Sequence, residues 1–300
     1  MADADEVCIL IPTLNEAETI GSVIEGFRDE GFDSLFVIDG GSTDRTEVIA
    51  EEHGARVHQQ SGRGKGQAVR EAIRLIEADV IVMVDGDGTY DPRDVHSMLD
   101  PILDGHAEHV IGNRFADMQP GAMTGLNQVG NRLINRAFTA IHGRDFKDIL
   151  SGYRAFTRDS VRRFWLTADG FGIETEFAVE CVKHDVPTAI VPITYRSRPA
   201  ASSPNLHPIR DGGVILVTLY RLAKTNNPLF YFGSLGGLSG FFGLLIALFV
   251  IVEWLTRGVS HQVLTLVAAI AVLFGVQLVV FGVLSDMILA LYREQIDRVR

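Results

Sequence analysis

Asp85 and Asp87 stand one residue apart at the end of the run Val-Ile-Val-Met-Val-Asp-Gly-Asp-Gly-Thr-Tyr, residues 80–90. Two carboxylates this close repel and raise one another's pKa unless a cation lies between them. Oxygen donors select hard cations such as Mg2+ or Mn2+. Mg2+ in particular is commonly held by few carboxylates together with substrate phosphates. The pair therefore points to a metal–diphosphate ligand such as a nucleotide sugar. Polar groups follow three other apolar runs in the same way: Pro12-Thr13-Leu14-Asn15-Glu16, Asp39-Gly40-Gly41-Ser42-Thr43-Asp44 and Gly112-Asn113-Arg114. Each alone reads equally well as helix capping, since Ser, Thr and Asp are favoured caps. Four together mark one edge where polar groups from separate segments converge. The glycines beside Asp39 and between Asp85 and Asp87 let the backbone turn tightly against a ligand.

These residues need a frame that brings distant segments to one edge. Apolar runs at Val7–Ile11, Leu35–Ile38, Val80–Val84, Val110–Ile111 and Ala189–Ile193 predict strands. Helical patterns fall between them at about 16–30, 44–53, 66–77, 91–103 and 125–141. Strands buried on both faces read as continuous apolar runs rather than alternation, which predicts an α/β domain with a mostly parallel sheet. Ligands of such sheets bind outside the carboxyl ends of the strands.

Composition changes near Pro228. Leu229–Val252 contains no charge, and Val263–Leu284 has Gln277 as its one strongly polar residue. Each is long enough to cross a bilayer as a helix. The alternative, a buried hairpin of a soluble protein, leaves no polar face for water. The predicted organisation is a catalytic domain over 1–207, an interfacial amphipathic segment over 208–227 and a membrane hairpin over 228–300. Arginines and lysines flank the outer ends of the two spans while the connection carries only Arg257. This charge bias predicts a multi-pass membrane protein with both termini and the catalytic domain in the cytoplasm. The chain has a net charge of −11, with 38 acidic and 27 basic residues, only four of them lysine. Such a surface excludes nucleic-acid binding, which needs a basic stripe. It suits a high-salt interior, where self-repulsion is screened. Two cysteines offer no disulfide framework or zinc pattern.

The stretches IPTLNE, VIDGGSTDRT, GRGKGQA and VDGDGTY resemble, in order and spacing, family 2 inverting glycosyltransferases of the GT-A fold. The later IGNR, KDILSGYRAF and FGIETEF resemble the polyprenol-phosphate hexosyltransferase branch. Within it the chain is most similar to haloarchaeal enzymes that load dolichyl phosphate with glucose at the start of S-layer N-glycan assembly. The resemblance spans Val7 to Arg210. It implies that Pro12, Thr13, Asn15, Glu16 and Asp39 hold base and ribose, that Lys65 lies near the nucleotide, and that Asp85 contacts ribose or metal. Asp87 is then a metal ligand and Arg114 a phosphate ligand. Asp148, Ser151, Gly152 and Tyr153 shape the sugar pocket. Glu174 and Glu176 stand where members carry a carboxylate near the acceptor. Two apart on a helix they do not share a face, and Glu176 is favoured. Two positions depart from the family pattern. Thr89 replaces a common Gln, and the segment RSRPAASSPNLH lacks the Lys of a common Ser-Lys pair.

The implied acceptor simplifies the chemistry. An alcohol needs a general base, whereas a phosphate monoester carries about −1.5 to −2 charges at neutral pH and is itself a nucleophile. It needs cations to position it, and arginine supplies them in bidentate form. Candidates are Arg114, Arg132, Arg196 and Arg198. The expected reaction is metal-dependent transfer of one hexose, glucose from UDP-glucose, to dolichyl phosphate. The alternatives are mannose transfer to the same acceptor and extension of a lipid-linked sugar. A dinucleotide-binding oxidoreductase would need Gly-x-Gly-x-x-Gly after the first strand, where PTLNE stands instead. A non-catalytic membrane scaffold would predict that Asp87→Ala leaves activity in the cell unchanged.

Overall fold

The computed structural model describes residues 6–168, 170, 172–198 and 227–299, with 213, 217, 219, 220, 223 and 224 between the last two stretches. The chain divides into two compact units, Met1–Val217 and Thr218–Arg300.

The first unit is built on a seven-stranded sheet of order β3-β2-β1-β4-β6-β5-β7. Its strands are β1 (Val7–Thr13), β2 (Leu35–Asp39), β3 (Arg56–Gln59), β4 (Val80–Met83), β5 (His109–Met118), β6 (Arg154–Thr157) and β7 (Thr188–Tyr195). All pairings are parallel except those of β6, which runs antiparallel to both β4 and β5. Between the strands lie α1 (Ile20–Asp29), α2 (Thr46–Glu52), α3 (Lys65–Leu75), α4 (Val95–Leu103), α5 (Gly125–His142), α6 (Arg158–Arg162) and α7 (Ile173–Lys183).

The period of two along each strand divides the core between the sheet's faces. Val7, Ile9 and Ile11 of β1, Val80 and Val82 of β4, and Val84 just beyond it, join Ile20, Ile24 and Phe27 of α1 and Met98 and Leu99 of α4. Cys8, Leu10, Ile81 and Met83 meet Ala68, Val69 and Ala72 of α3 and Ile173 and Phe177 of α7 on the other face. Both faces are thus covered, as the continuous apolar runs predict. Cys8 and Cys181 are free and buried.

Two strands are absent from the sequence expectation. β3 is one of the sheet's two edges, and its Arg-Val-His-Gln sequence is mostly polar and partly exposed. β6 carries Arg154, which is completely buried and sits opposite Met83 and Ile111. Its guanidinium is satisfied by the Ser151 carbonyl at 3.0 Å, the Ile149 carbonyl at 2.6 Å and the His109 Nε2 at 3.1 Å. Burial, then the nearby Arg154 charge, hold His109 well below its ordinary pKa, so the ring is neutral and Nε2 accepts.

The second unit contains α8 (Pro228–Arg257) and α9 (Gln262–Val299). Each holds a stretch long and apolar enough to cross a bilayer, with mean hydropathy 2.5 and 2.7. They approach closely on small residues: a Cβ on Gly236 would lie 2.5 Å from the Gly275 carbonyl, and the Ser239 hydroxyl donates to the Ala271 carbonyl at 2.9 Å. Small contact residues of this kind let backbones meet where hydrophobic segregation offers no drive. Most of the expected interfacial segment 208–227, and Ser203-Pro204-Asn205, lie outside the described residues.

Candidate active site

The loops after β1 and β2 are tied to one another. Asn15 adopts φ 55°, a conformation its short polar side chain tolerates. Its N–H donates to Ser42 Oγ and its Oδ1 accepts the Thr43 N–H, both at 2.8 Å. The Glu16 N–H donates to Thr46 Oγ1 at 2.9 Å. Asp39 is fully buried. Its Oδ2 accepts the Gly41 and Ser42 N–H groups at 2.7 Å each, and its Oδ1 accepts the Ser42 hydroxyl at 2.5 Å. Its carboxylate thus shapes this wall from within. Pro12 and Thr13 are the buried last residues of β1, and the Thr13 hydroxyl lies 3.4 Å from Asp39 Oδ1.

Beyond β4 the two aspartates each face a cation. Lys65, the first residue of α3, places Nζ 2.5 Å from Asp85 Oδ1 and 2.5 Å from Glu174 Oε1. Burial alone would lower the Lys65 pKa; Asp85 and then Glu174 outweigh it and hold the ammonium above its usual range. Burial pushes the Asp85 carboxyl up, with Lys65 opposing and Asp87 and Glu174 adding to the rise. Asp87 is 6% exposed. Its Oδ1 accepts the Thr89 N–H at 3.0 Å and the Thr89 hydroxyl at 2.6 Å, while Oδ2 pairs with Arg198. Thr89 thus orients Asp87, with its own hydroxyl directed at that carboxylate. Glu16 lies in the same field: burial and then Asp87 push its carboxyl up to about 7, with Arg198 opposing.

Two glycines allow this crowding. A Cβ on Gly86 would lie 2.7 Å from Thr13 Cγ2, and a Cβ on Gly152 would overlap Asp85 Oδ2. The N–H of Gly152 donates to the Tyr90 hydroxyl at 2.9 Å.

Arg114 is expected as a phosphate ligand. Here its Nε and Nη2 grip Asp148 Oδ2 and Oδ1 at 2.7 and 2.8 Å, its Nη2 reaches Asn131 Oδ1 at 3.3 Å, and it lies over the Tyr195 ring at 5.4 Å. The fork is engaged by a buried carboxylate. Arg196 pairs with Asp91, which also holds Arg93, and the Arg196 N–H donates to the Thr89 carbonyl at 2.7 Å. The segment after β7 is thereby laid along the loop after β4. Arg132 is exposed on α5, its guanidinium 5.9 Å from the Phe115 ring centre.

Glu176, the carboxylate favoured from the sequence, and Glu174 have different partners. Glu176 Oε2 accepts the Thr167 and Ala168 N–H groups at 2.7 and 2.8 Å, and Oε1 accepts the Thr167 hydroxyl at 2.6 Å. It holds the chain entering α7. Glu174 is the one that joins Lys65 and Asp85. Arg154 escaped the sequence reading altogether. It fixes the Ile149 and Ser151 carbonyls on either side of Leu150, in the segment that bears Asp148 and Gly152. Its one trace in the sequence is a charge interrupting the apolar Tyr-Arg-Ala-Phe.

Among the described residues, no group of three acidic, histidine or cysteine side chains is gathered to hold a metal by itself. The donor set is two carboxylates, and the outer oxygen of Asp87 already faces a guanidinium where a cation would stand. These residues fit a divalent ion that takes its remaining ligands from a diphosphate and water.

A sheet of this order with polar loops at its strand ends is the architecture of nucleotide-sugar transferases of the GT-A fold. The chain belongs to glycosyl transferase family 2, whose model matches residues 8–165. It is 61% identical over its whole length to the glycosyltransferase AglJ of Haloferax volcanii, covering 99% of that protein. It is 33% identical to the dolichyl-phosphate hexose transferase of the same organism, over 70% of this chain and 91% of that one. The glucosyl-3-phosphoglycerate synthase of Mycobacterium tuberculosis, solved with Mn2+ and UDP-glucose, shares the fold at 23% identity. It aligns with TM-score 0.59 over 73% of this chain and 78% of that one.

Proposed function

We propose that this glycosyltransferase moves one hexose, glucose from UDP-glucose by preference, onto dolichyl phosphate with inversion at the sugar carbon. This is the first step of lipid-linked N-glycan assembly. The observation that carries the reading is the pairing at the end of β4: Asp85 and Asp87 each face a cation, Lys65 and Arg198. Such a site accepts a metal–diphosphate by exchanging one positive partner for another. The names of the dolichyl-phosphate hexose transferase and of the UDP-glucose-bound synthase fit the proposed acceptor and donor.

Asp87, with Asp85 beside it, would hold Mg2+ or Mn2+, which would offset negative charge on the diphosphate leaving group. The stitched loops around Asn15, Glu16 and Asp39, with Pro12 and Thr13 beneath them, receive the nucleoside. Lys65, fixed by Glu174 and Asp85, lies beside it. An acceptor phosphate oxygen attacks the sugar's anomeric carbon as the bond from that carbon to the diphosphate oxygen breaks, and the electron pair leaves with the nucleotide. No proton moves, so no base is required. Glu176, occupied by three donors, is free of that duty. Arg196 and Arg198 belong to the acceptor-phosphate side of the site together with Arg132, and Arg114 with Asp148 braces it. The two apolar helices keep the enzyme in the cell membrane, where a polyprenyl acceptor resides, with the catalytic unit and both termini cytoplasmic.

Membranes containing the chain, given dolichyl phosphate and labelled UDP-glucose or GDP-mannose, should yield labelled lipid from UDP-glucose. A chelator should abolish it, and Mg2+ or Mn2+ should restore it. Label entering lipid from GDP-mannose alone would make this a mannose transferase; no labelled lipid from any nucleotide sugar would refute the proposal.

A further inference from the structure

Asp39 is occupied by its own loop. A carboxylate offers about four lone-pair sites. Those of Asp39 face the Gly41 N–H, the Ser42 N–H and the Ser42 hydroxyl, with the Thr13 hydroxyl at 3.4 Å. A base entering this wall needs a further partner. Gln60 stands beside it. It follows the last residue of β3, and its N–H donates to the Asp39 carbonyl at 2.9 Å. Gln60 is 9% exposed, and among the described residues its amide oxygen has no hydrogen-bond partner. A buried polar atom left unpaired costs free energy until something meets it.

The nitrogen of the same amide lies at the wall. A Cβ on Gly40 would stand 3.5 Å from Gln60 Nε2, 3.4 Å from Leu14 Cδ1 and 3.2 Å from the Thr13 carbonyl. Leu14 is large and apolar, yet 41% exposed. A bare Gly40 between an apolar side chain and an amide suits a flat heterocycle, with Leu14 against a ring face and the amide at its edge. The strand order says which edge. The diphosphate is proposed at the end of β4, and β1 and β2 separate β4 from β3. A nucleoside laid across β1 and β2 points the edge remote from its ribose at β3, where Gln60 stands.

We infer that Gln60 reads the nucleobase of the donor. Its Nε2 donates to the ring carbonyl remote from the ribose, which in uracil is O4. A turn of the amide about its last bond, a soft torsion, lets Oε1 accept the neighbouring ring N–H. Cytosine carries an amino group at that position and sets donor against donor, so Gln60 selects uracil over cytosine. Guanine presents the same pair of groups, a carbonyl beside a ring N–H. The inference rests on the nucleotide-sugar reading of the site.

The test is calorimetric titration of the full chain in nanodiscs with UDP, CDP and GDP in the presence of Mn2+. Wild type should bind UDP at least about tenfold tighter than CDP. Gln60→Leu should weaken UDP about tenfold and leave CDP within about twofold. Gln60→Glu, which presents acceptors alone, should bind CDP the tighter of the two. The ratio is its own control, since a loosened fold weakens both nucleotides alike. A wild type that binds UDP and CDP equally, or variants that keep the wild-type ratio, would overturn the inference and leave nucleotide binding standing. Wild type binding GDP above UDP, with that affinity lost in Gln60→Leu, would keep Gln60 as the reader and overturn UDP-glucose as the donor. No nucleotide bound by wild type would refute both.

Discussion

Glu174 and Glu176 lie on different faces of α7 and have different partners. Glu176→Gln removes the charge that receives two backbone N–H groups and a hydroxyl. It should cost about 1–3 kcal/mol of stability, read as a lower unfolding midpoint, with turnover per folded molecule nearly unchanged. Glu174→Gln should leave the midpoint closer to wild type and weaken donor binding about tenfold, because Lys65 loses one of its two carboxylates. The reverse ranking would return the catalytic assignment to Glu176. Glu16 offers a pH test. Its carboxyl titrates near 7 when folded against 4.5 ordinarily. The folded state therefore holds an extra proton between those values. The associated stability is complete below the unfolded pKa and is lost as pH rises through the folded one. In chelator, wild type should lose about 1–2 kcal/mol more than Glu16→Gln between about pH 5 and about pH 8. Superimposable pH profiles of the two would contradict that.

At the scale of elements, the turn before β6 is the tightest joint of the site. Gly152 lets the β4 end and this turn share one space, since a Cβ there would overlap Asp85. Gly152→Ala should cost about 1–3 kcal/mol and reduce donor affinity at least about tenfold, measurable by melting and calorimetric titration. Donor binding unchanged in this variant would place Asp85 outside the donor site. The sequence made β1, β2 and β4 visible because all their side chains are buried, which demands unbroken apolar runs. It hid β6 because a buried Arg154 bonded to carbonyls looks, in one dimension, like a loop charge. It hid β3 because Val57 is that short edge strand's one apolar residue, whereas the other edge, β7, keeps an apolar run. The strand-end positions of Asp39, Asp85 and Asp87 could be read from where apolar runs stop, whereas Arg114, expected beyond a strand, lies within β5 because its pairing with β7 runs on past the apolar run. Their partners could not. Lys65 meeting Glu174, Arg114 meeting Asp148 and Arg198 meeting Asp87 are each set by how distant segments pack, and nothing local records them.

Over the whole molecule, a net charge of −11 makes folding depend on screening. The Debye length falls from about 10 Å at about 0.1 M salt to about 3 Å at about 1 M. The unfolding midpoint of the detergent-solubilised chain should therefore rise by about 5 °C over that range; a flat or falling midpoint would contradict a surface suited to high salt. The paired strand-end carboxylates and the apolar hairpin support the proposal that the acceptor is an anionic lipid phosphate acting as its own nucleophile. Phosphorus NMR of the product formed from UDP-glucose tests this most directly. The account predicts a phosphodiester joined to the β anomer of glucose, with the acceptor's second phosphate ionisation gone. An α-linked product, or one in which the lipid keeps a titrating phosphate monoester, would contradict it.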